Sequence, residues 1–227
     1  MKCDKVNHTK EEILDPGSPV WDGVKAEKIA LDSTPINTIP TSKYIVETIK
    51  REKIGKVKSI EVKSLHNGKE IFFWCRWKDD TENREITDVN TFVDGLGMMF
   101  PMKGDAKIEE MGSKKEPVNL WYWRADFDDK PHNLTAQGIG STQASEKSFL
   151  FSKSKWENGY WTVIMGRPLT VKAQLKEAVQ FKPGQTFKAG WAVMEGSNNE
   201  RGGAMSFSVY FRNLDLVDGA PAKARKG

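Results

Sequence analysis

The sequence predicts an all-β protein, a single-domain β-sandwich of jelly-roll type with few short helices. Three observations carry that expectation. Apolar residues recur at every second position in several segments, helical periodicity is scarce, and long Gly-, Asn- and Lys-rich loops separate the segments. At 227 residues the chain can bury one substantial core, and sandwiches of this length commonly form one domain.

Taken in chain order, residues 1–16 read as a polar N-terminal lead-in. Residues 17–217 read as the sandwich domain and 218–227 as a basic C-terminal tail. Pro16-Gly17-Ser18-Pro19 breaks the chain ahead of Val20-Trp21-Asp22-Gly23, and the Pro and Thr residues of 36–42 suggest an extended connector. Residues 57–65 and 70–78 flank Asn67-Gly68, a pair suited to a type I′ hairpin turn because both residues tolerate positive φ. In the second arm Ile71, Phe73, Cys75 and Trp77 alternate with Phe72, Trp74 and Arg76, so both faces are partly apolar. Further strands are expected over 118–127, 159–165, 186–194 and 205–216. In the last, Met205, Phe207, Val209 and Phe211 share one face by period two. A short helix over 173–179 is the only helical candidate.

Composition narrows the function classes. Hydrophobic residues at 38% and charged residues at 29% describe a globular chain. Eight tryptophans and eleven phenylalanines exceed ordinary packing needs, which suggests a core built around aromatic rings or one that receives a flat apolar ligand. The net charge of +4 is well mixed, and no basic stripe interleaves with aromatics, so nucleic-acid binding is not expected. No apolar run reaches the roughly eighteen residues of a membrane span. The first residues hold no visible signal peptide, which fits a cytoplasmic protein, a processed form or export with a partner. Cys3 and Cys75 form no Cys-x-x-Cys pair, and Cys75 reads as a buried structural thiol. Without Cys-x-x-Cys-His, any haem would be held without thioether bonds to cysteine.

Hydrolytic chemistry finds little support. His8, His66 and His132 each read as surface residues, and no Gly-x-Ser-x-Gly elbow occurs. Asp126-Phe127-Asp128-Asp129 reads as a solvated loop, with a weak cation site as its alternative. Met111 lies between Glu109-Glu110 and Gly112-Ser113, ahead of the aromatic segment 119–124. A thioether so placed can enter a pocket and ligate a soft or borderline metal, although spacing alone favours a gap-filling core side chain.

Several segments together resemble the haem-b-binding γ subunits of the ethylbenzene dehydrogenase type, which serve type II molybdenum enzymes. The segments are Pro19-Val20-Trp21-Asp22-Gly23, residues 73–79, Asp94-Gly95-Leu96-Gly97-Met98-Met99-Phe100-Pro101 and Met111-Gly112. Residues 117–125, Trp161 to Leu169, and Trp191-Ala192-Val193-Met194-Glu195-Gly196-Ser197 with Glu200-Arg201-Gly202-Gly203 complete the set. Their order and spacing, rather than any one of them, carry the resemblance.

The resemblance implies non-covalent haem b with a methionine and a lysine as axial ligands. The methionine carries over to Met111. The stretch expected to hold the lysine reads Glu200-Arg201-Gly202-Gly203-Ala204-Met205-Ser206, which places Met205 in the ligand position and implies a bis-methionine haem. Lys188 or Lys172 is the alternative second ligand, and Arg124 and Arg167 are candidates for haem propionates. The implied role is an electron-transfer subunit without bond-making chemistry. It would pass single electrons between the iron–sulfur subunit of a molybdenum oxidoreductase, chlorate or selenate reductase-like, and a soluble cytochrome c. The catalytic molybdenum subunit would complete a periplasmic heterotrimer. Two other readings compete: a carbohydrate-binding sandwich, which requires a solvent-facing Trp121 or Trp123, and a cofactor-free structural subunit.

Overall fold

The computed structural model describes residues 1–35, 38–39, 54–86, 91–127 and 129–219. The connector expected over 36–42 falls mostly outside the described residues, as does the basic tail from residue 220 onward. The chain runs through β1 (Lys2–Lys5), α1 (Lys10–Leu14), β2 (Glu27–Ala30), β3 (Asp32–Ser33), β4 (Ser59–His66), β5 (Glu70–Lys78), β6 (Gly95–Pro101) and β7 (Val118–Arg124). It continues through β8 (His132–Ala136), β9 (Gln143–Ala144), β10 (Phe151–Glu157), β11 (Tyr160–Pro168), β12 (Thr186–Met194), β13 (Ser206–Phe207) and β14 (Arg212–Leu216).

The strands form a β-sandwich. One layer runs β10-β11-β5-β4, with β2 also on β4, and the other runs β14-β12-β6-β7-β8-β9. The short β13 lies between β12 and β3. Neighbours within each layer are antiparallel, whereas β1 makes parallel pairings to both layers. Lys2 and Cys3 pair with Asp215 and Leu216, and Asp4 and Lys5 with Leu65 and His66. Residues 1–16 are therefore part of the fold rather than a lead-in. Their flanking Lys and Asp residues hide a fully buried Cys3, whose thiol pKa burial pushes up.

The two apolar faces of β5 have separate partners. Phe73, Cys75 and Trp77 enter the central core, while Phe72 and Trp74 pack outward against Ile13 and Trp21. Helix α1 presents Ile13 because Thr9 and Glu12 form a capping box: Glu12 N donates to Thr9 Oγ1 at 3.2 Å, and Thr9 N donates to Glu12 Oε2 at 2.8 Å. Burying Ile13 contributes about 1.5–3 kcal/mol.

Aromatic rings dominate the core. Trp77, Trp121, Trp123, Trp161 and Trp191 are all essentially buried, with Trp123 and Trp161 meeting edge to face at 5.1 Å. Cys75 is buried as expected.

Several local expectations change. The hairpin turn is closed by Asn67 N donating to Glu70 O, so Gly68 and Lys69 are its central residues. Only Gly68 takes positive φ, at 87°, the pattern of a type II′ turn rather than type I′. Asn67 uses its side chain instead, with Oδ1 accepting from Lys69 N and Glu70 N. The strand expected over 205–216 is two strands, because Ser208 stops the ladder: its N donates to Trp191 O and its Oγ accepts from Trp191 N. The helix expected over 173–179 is a single 3₁₀ turn, Lys172–Gln174. His66 is buried, not at the surface, because the chain following β14 covers it and Val217 O lies 2.8 Å from its Nε2. His132 is exposed and stacks on Phe127 at 4.3 Å.

Candidate functional site

Strands β6, β7, β8 and β12 have a second face, directed away from the core. Where Trp121 and Trp123 point inward, Leu120 and Tyr122 point outward by the period of two. The middle of that outer face carries small residues: Gly97 pairs with Ala192 across β6 and β12, and Gly190 lies two residues before Ala192. A hypothetical Cβ on Gly97 would meet only Ala192, at 3.7 Å from its Cβ, whereas one on Gly190 would collide with Ile108 Cδ1. The sheet therefore supplies a shallow floor that larger residues would fill.

Segments 108–111, 139–142 and 202–207, with Thr34, Pro35 and Thr38, cover this floor and enclose a cavity of about 410 Å³. That is within the roughly 300–1,000 Å³ of small-molecule and cofactor sites. Its walls are mostly aliphatic, methionine and glycine, and Glu109 is the one charged residue among the described lining residues.

Met111 and Met205 both line this cavity. Met111 adopts φ 54°, a left-handed conformation uncommon for any residue but Gly, Asn or Asp. Its N donates to Ile108 O at 3.2 Å, and its carbonyl accepts from Gly138 N at 3.1 Å, tying two covering loops together. Gly112 follows at φ 76°, where a Cβ would approach Glu116 O to 2.6 Å, so the turn that presents Met111 requires glycine after it. Met205 is held from the other end of the sequence: its carbonyl accepts from both Thr34 N and Thr34 Oγ1 at 3.0 Å. The next residue, Ser206, is buried and pairs with Val193, which leaves Met205 and Phe207 on the cavity side. Met98, Met99 and Met194 also border the cavity, but from the strands of the floor.

The other candidates fall elsewhere. No lysine is among the described residues lining the cavity. Lys188 Nζ is engaged with Asp105 Oδ1 at 2.5 Å, and Lys172 begins the 3₁₀ turn after β11. Arg124 forms a bidentate pair with Asp126, with contacts of 2.9 and 2.7 Å. Arg167 is fully buried between Trp121 and Phe181 and donates to Val179 O; burial pushes its pKa down to about 10. Neither arginine lines the cavity. Of the Asp-rich loop, Asp128 lies outside the described residues, and Asp126 is occupied by Arg124.

Sequence reasoning missed the floor itself. Gly97, Gly190 and Ala192 carry no chemistry, and their only signal is small residues at outward positions of adjacent strands. It also missed Thr34, whose part depends on a pairing with the distant Met205.

The carbohydrate-binding alternative required a solvent-facing Trp121 or Trp123, and both are fully buried. A crystal structure of a protein from Bacteroides uniformis, provisionally described as carbohydrate-binding, superposes with a TM-score of 0.58. It covers 94% of this chain and 97% of that one at 12% identity, a likeness of fold alone. The chain is 30% identical over 203 residues to a Haloferax mediterranei protein provisionally named respiratory nitrate reductase heme subunit ORF7, covering 89% of this chain and 68% of the relative. It is also 30% identical over 204 residues to the chlorate reductase subunit gamma of Ideonella dechloratans, covering 89% and 80%. The family model described as ethylbenzene dehydrogenase matches residues 18–150 and 139–206. With that match spanning most of the sandwich, the chain belongs to the ethylbenzene dehydrogenase family.

Proposed function

We propose that the protein is a haem b electron-transfer subunit of a periplasmic molybdenum oxidoreductase of the chlorate or selenate reductase kind. It would pass single electrons between an iron–sulfur subunit and a soluble cytochrome c, with the substrate handled by the molybdenum subunit. The observation that carries this reading is that Met111 and Met205, far apart in sequence, line one apolar cavity. The relatives' names, a heme subunit and a gamma subunit of respiratory reductases, support it.

The residues present fit the group. A flat macrocycle needs an apolar slot, which the glycine and alanine floor provides, and soft thioethers are suitable ligands for its iron. Met111 and Met205, both from covering segments rather than the floor, would hold the iron through their thioether sulfurs. When bound, haem supplies a one-electron iron couple. The chain's own part would be to exclude water, hold the main chain of the two methionines through the Gly138 and Thr34 hydrogen bonds, and set the potential. Two neutral thioethers favour the ferrous state, so the potential should be high, and no lysine proton has to be displaced.

Stopped-flow mixing of the oxidised, haem-loaded chain with ferrous cytochrome c tests the role. One electron should pass per haem, seen as simultaneous oxidation of one spectrum and reduction of the other. A haem-loaded chain that exchanges no electrons would remove the reading.

A further inference from the structure

Away from the haem cavity, three carboxylates meet at one end of the sandwich. Asp79 follows β5 in one layer, while Asp94 precedes β6 and Glu195 follows β12 in the other. All three are buried, and each offers an oxygen within 4.8 Å of the others.

Their hydrogen bonds leave a specific gap. Asp94 keeps one acceptor site: Oδ2 accepts from Asn83 N at 2.8 Å and Trp161 Nε1 at 2.9 Å, whereas Oδ1 accepts from Gly196 N alone, at 2.8 Å. Asp79 Oδ1 accepts from Thr81 N at 3.1 Å. Glu195 Oε1 accepts from Ser197 Oγ at 2.6 Å and pairs with Lys56 Nζ at 3.0 Å. The second oxygens, Asp79 Oδ2 and Glu195 Oε2, are buried with no donor. Among the described residues, the half-exposed Lys56 is the one cation paired with any of the three. Buried carboxylates left in that condition are costly unless a counter-charge enters.

We propose that Asp79, Asp94 and Glu195 bind a structural calcium ion that ties the two layers of the sandwich together. The donors are all hard oxygens, with no His or Cys, which selects against zinc and copper. Calcium accepts several carboxylates in irregular geometry, whereas magnesium retains more of its water and needs a roomier, wetter site. The site does not depend on the haem reading, because the cation would stand between strand ends rather than in the methionine-lined cavity.

Terbium luminescence and thermal melting of the full chain test the proposal. Trp161 donates to one of the carboxylates, so terbium bound there should emit on tryptophan excitation, and CaCl₂ should quench that emission by displacement. The melting temperature of chelator-treated protein should rise by several degrees with CaCl₂ and less with MgCl₂. Asp79→Asn removes a buried charge and should therefore fold, yet lose both the emission and the calcium-dependent rise; Glu195→Gln should behave alike. A melting temperature that calcium does not move would overturn the proposal in favour of a proton shared between Asp79 and Glu195. Emission retained in Asp79→Asn would overturn it in favour of a surface cation, and an equal rise with MgCl₂ would overturn the choice of calcium.

Discussion

Thr34 holds Met205 by two hydrogen bonds to its carbonyl, so the segment preceding β13 is fixed before any ligand enters the cavity. Met111 is fixed independently by its left-handed backbone and its bond to Gly138. The cavity is thus bordered by two methionines whose main chains are anchored, while their thioether side chains carry no hydrogen bond of their own among these contacts.

The floor predicts how to close the cavity without unfolding the protein. Gly97 has room for a Cβ beside Ala192, and larger atoms beyond it would enter the ligand space. Gly97→Leu should leave the melting temperature of the haem-free chain nearly unchanged. Overpacking of about 1–3 kcal/mol against the bound group would weaken haem affinity roughly ten- to a hundredfold. Titration of haem into both proteins, followed by absorbance, reads the difference.

The Met111 backbone predicts a split between stability and ligation. A residue with a Cβ pays about 1–2 kcal/mol in the left-handed region, and glycine does not. Met111→Gly should therefore be more stable than Met111→Ala by about 1 kcal/mol in urea unfolding. Both variants should lack the low-spin spectrum of the parent. Equal stabilities would show that the turn relaxes once the side chain is gone.

His66 predicts a pH dependence of stability. With its proton on Nε2 the neutral ring donates to Val217 O at 2.8 Å, and Nδ1 accepts from Gly68 N at 3.3 Å. Burial, chiefly, lowers its pKa from the ordinary 6.5. The unfolded chain therefore takes up the proton first as pH falls. This contribution is intact above pH 6.5, declines as pH drops through that value, and levels off once the folded ring also protonates. His66→Gln should lose about 1 kcal/mol at neutral pH and flatten this step. Melting curves of both proteins between mildly acidic and neutral pH give the comparison, and an unchanged step would assign it to other groups.

How much of this was legible in the sequence depends on the range of the interactions. The β4–β5 hairpin and β12 follow from alternation within a single segment, so the fold class could be read directly. The turn type could not, because the Asn67 side chain replaces a backbone partner and shifts the centre to Gly68. Alternation from Met205 to Phe211 suggested one strand, whereas Ser208 ends it through a bond to Trp191 that local patterning does not encode. The site depended more on resemblance. Met111 and Met205 were named by similarity to the family, while the glycine floor became visible only with β6 and β12 in register. The carboxylate cluster was invisible because Asp79, Asp94 and Glu195 belong to different strand ends brought together by the sandwich.

The most direct test of the account is the absorbance spectrum of the full chain titrated with haem, oxidised and reduced. The account predicts one haem per chain, a low-spin spectrum in both states, and loss of that spectrum in Met111→Ala and in Met205→Ala. Failure to bind haem stoichiometrically, or a low-spin spectrum unchanged in either variant, would contradict it.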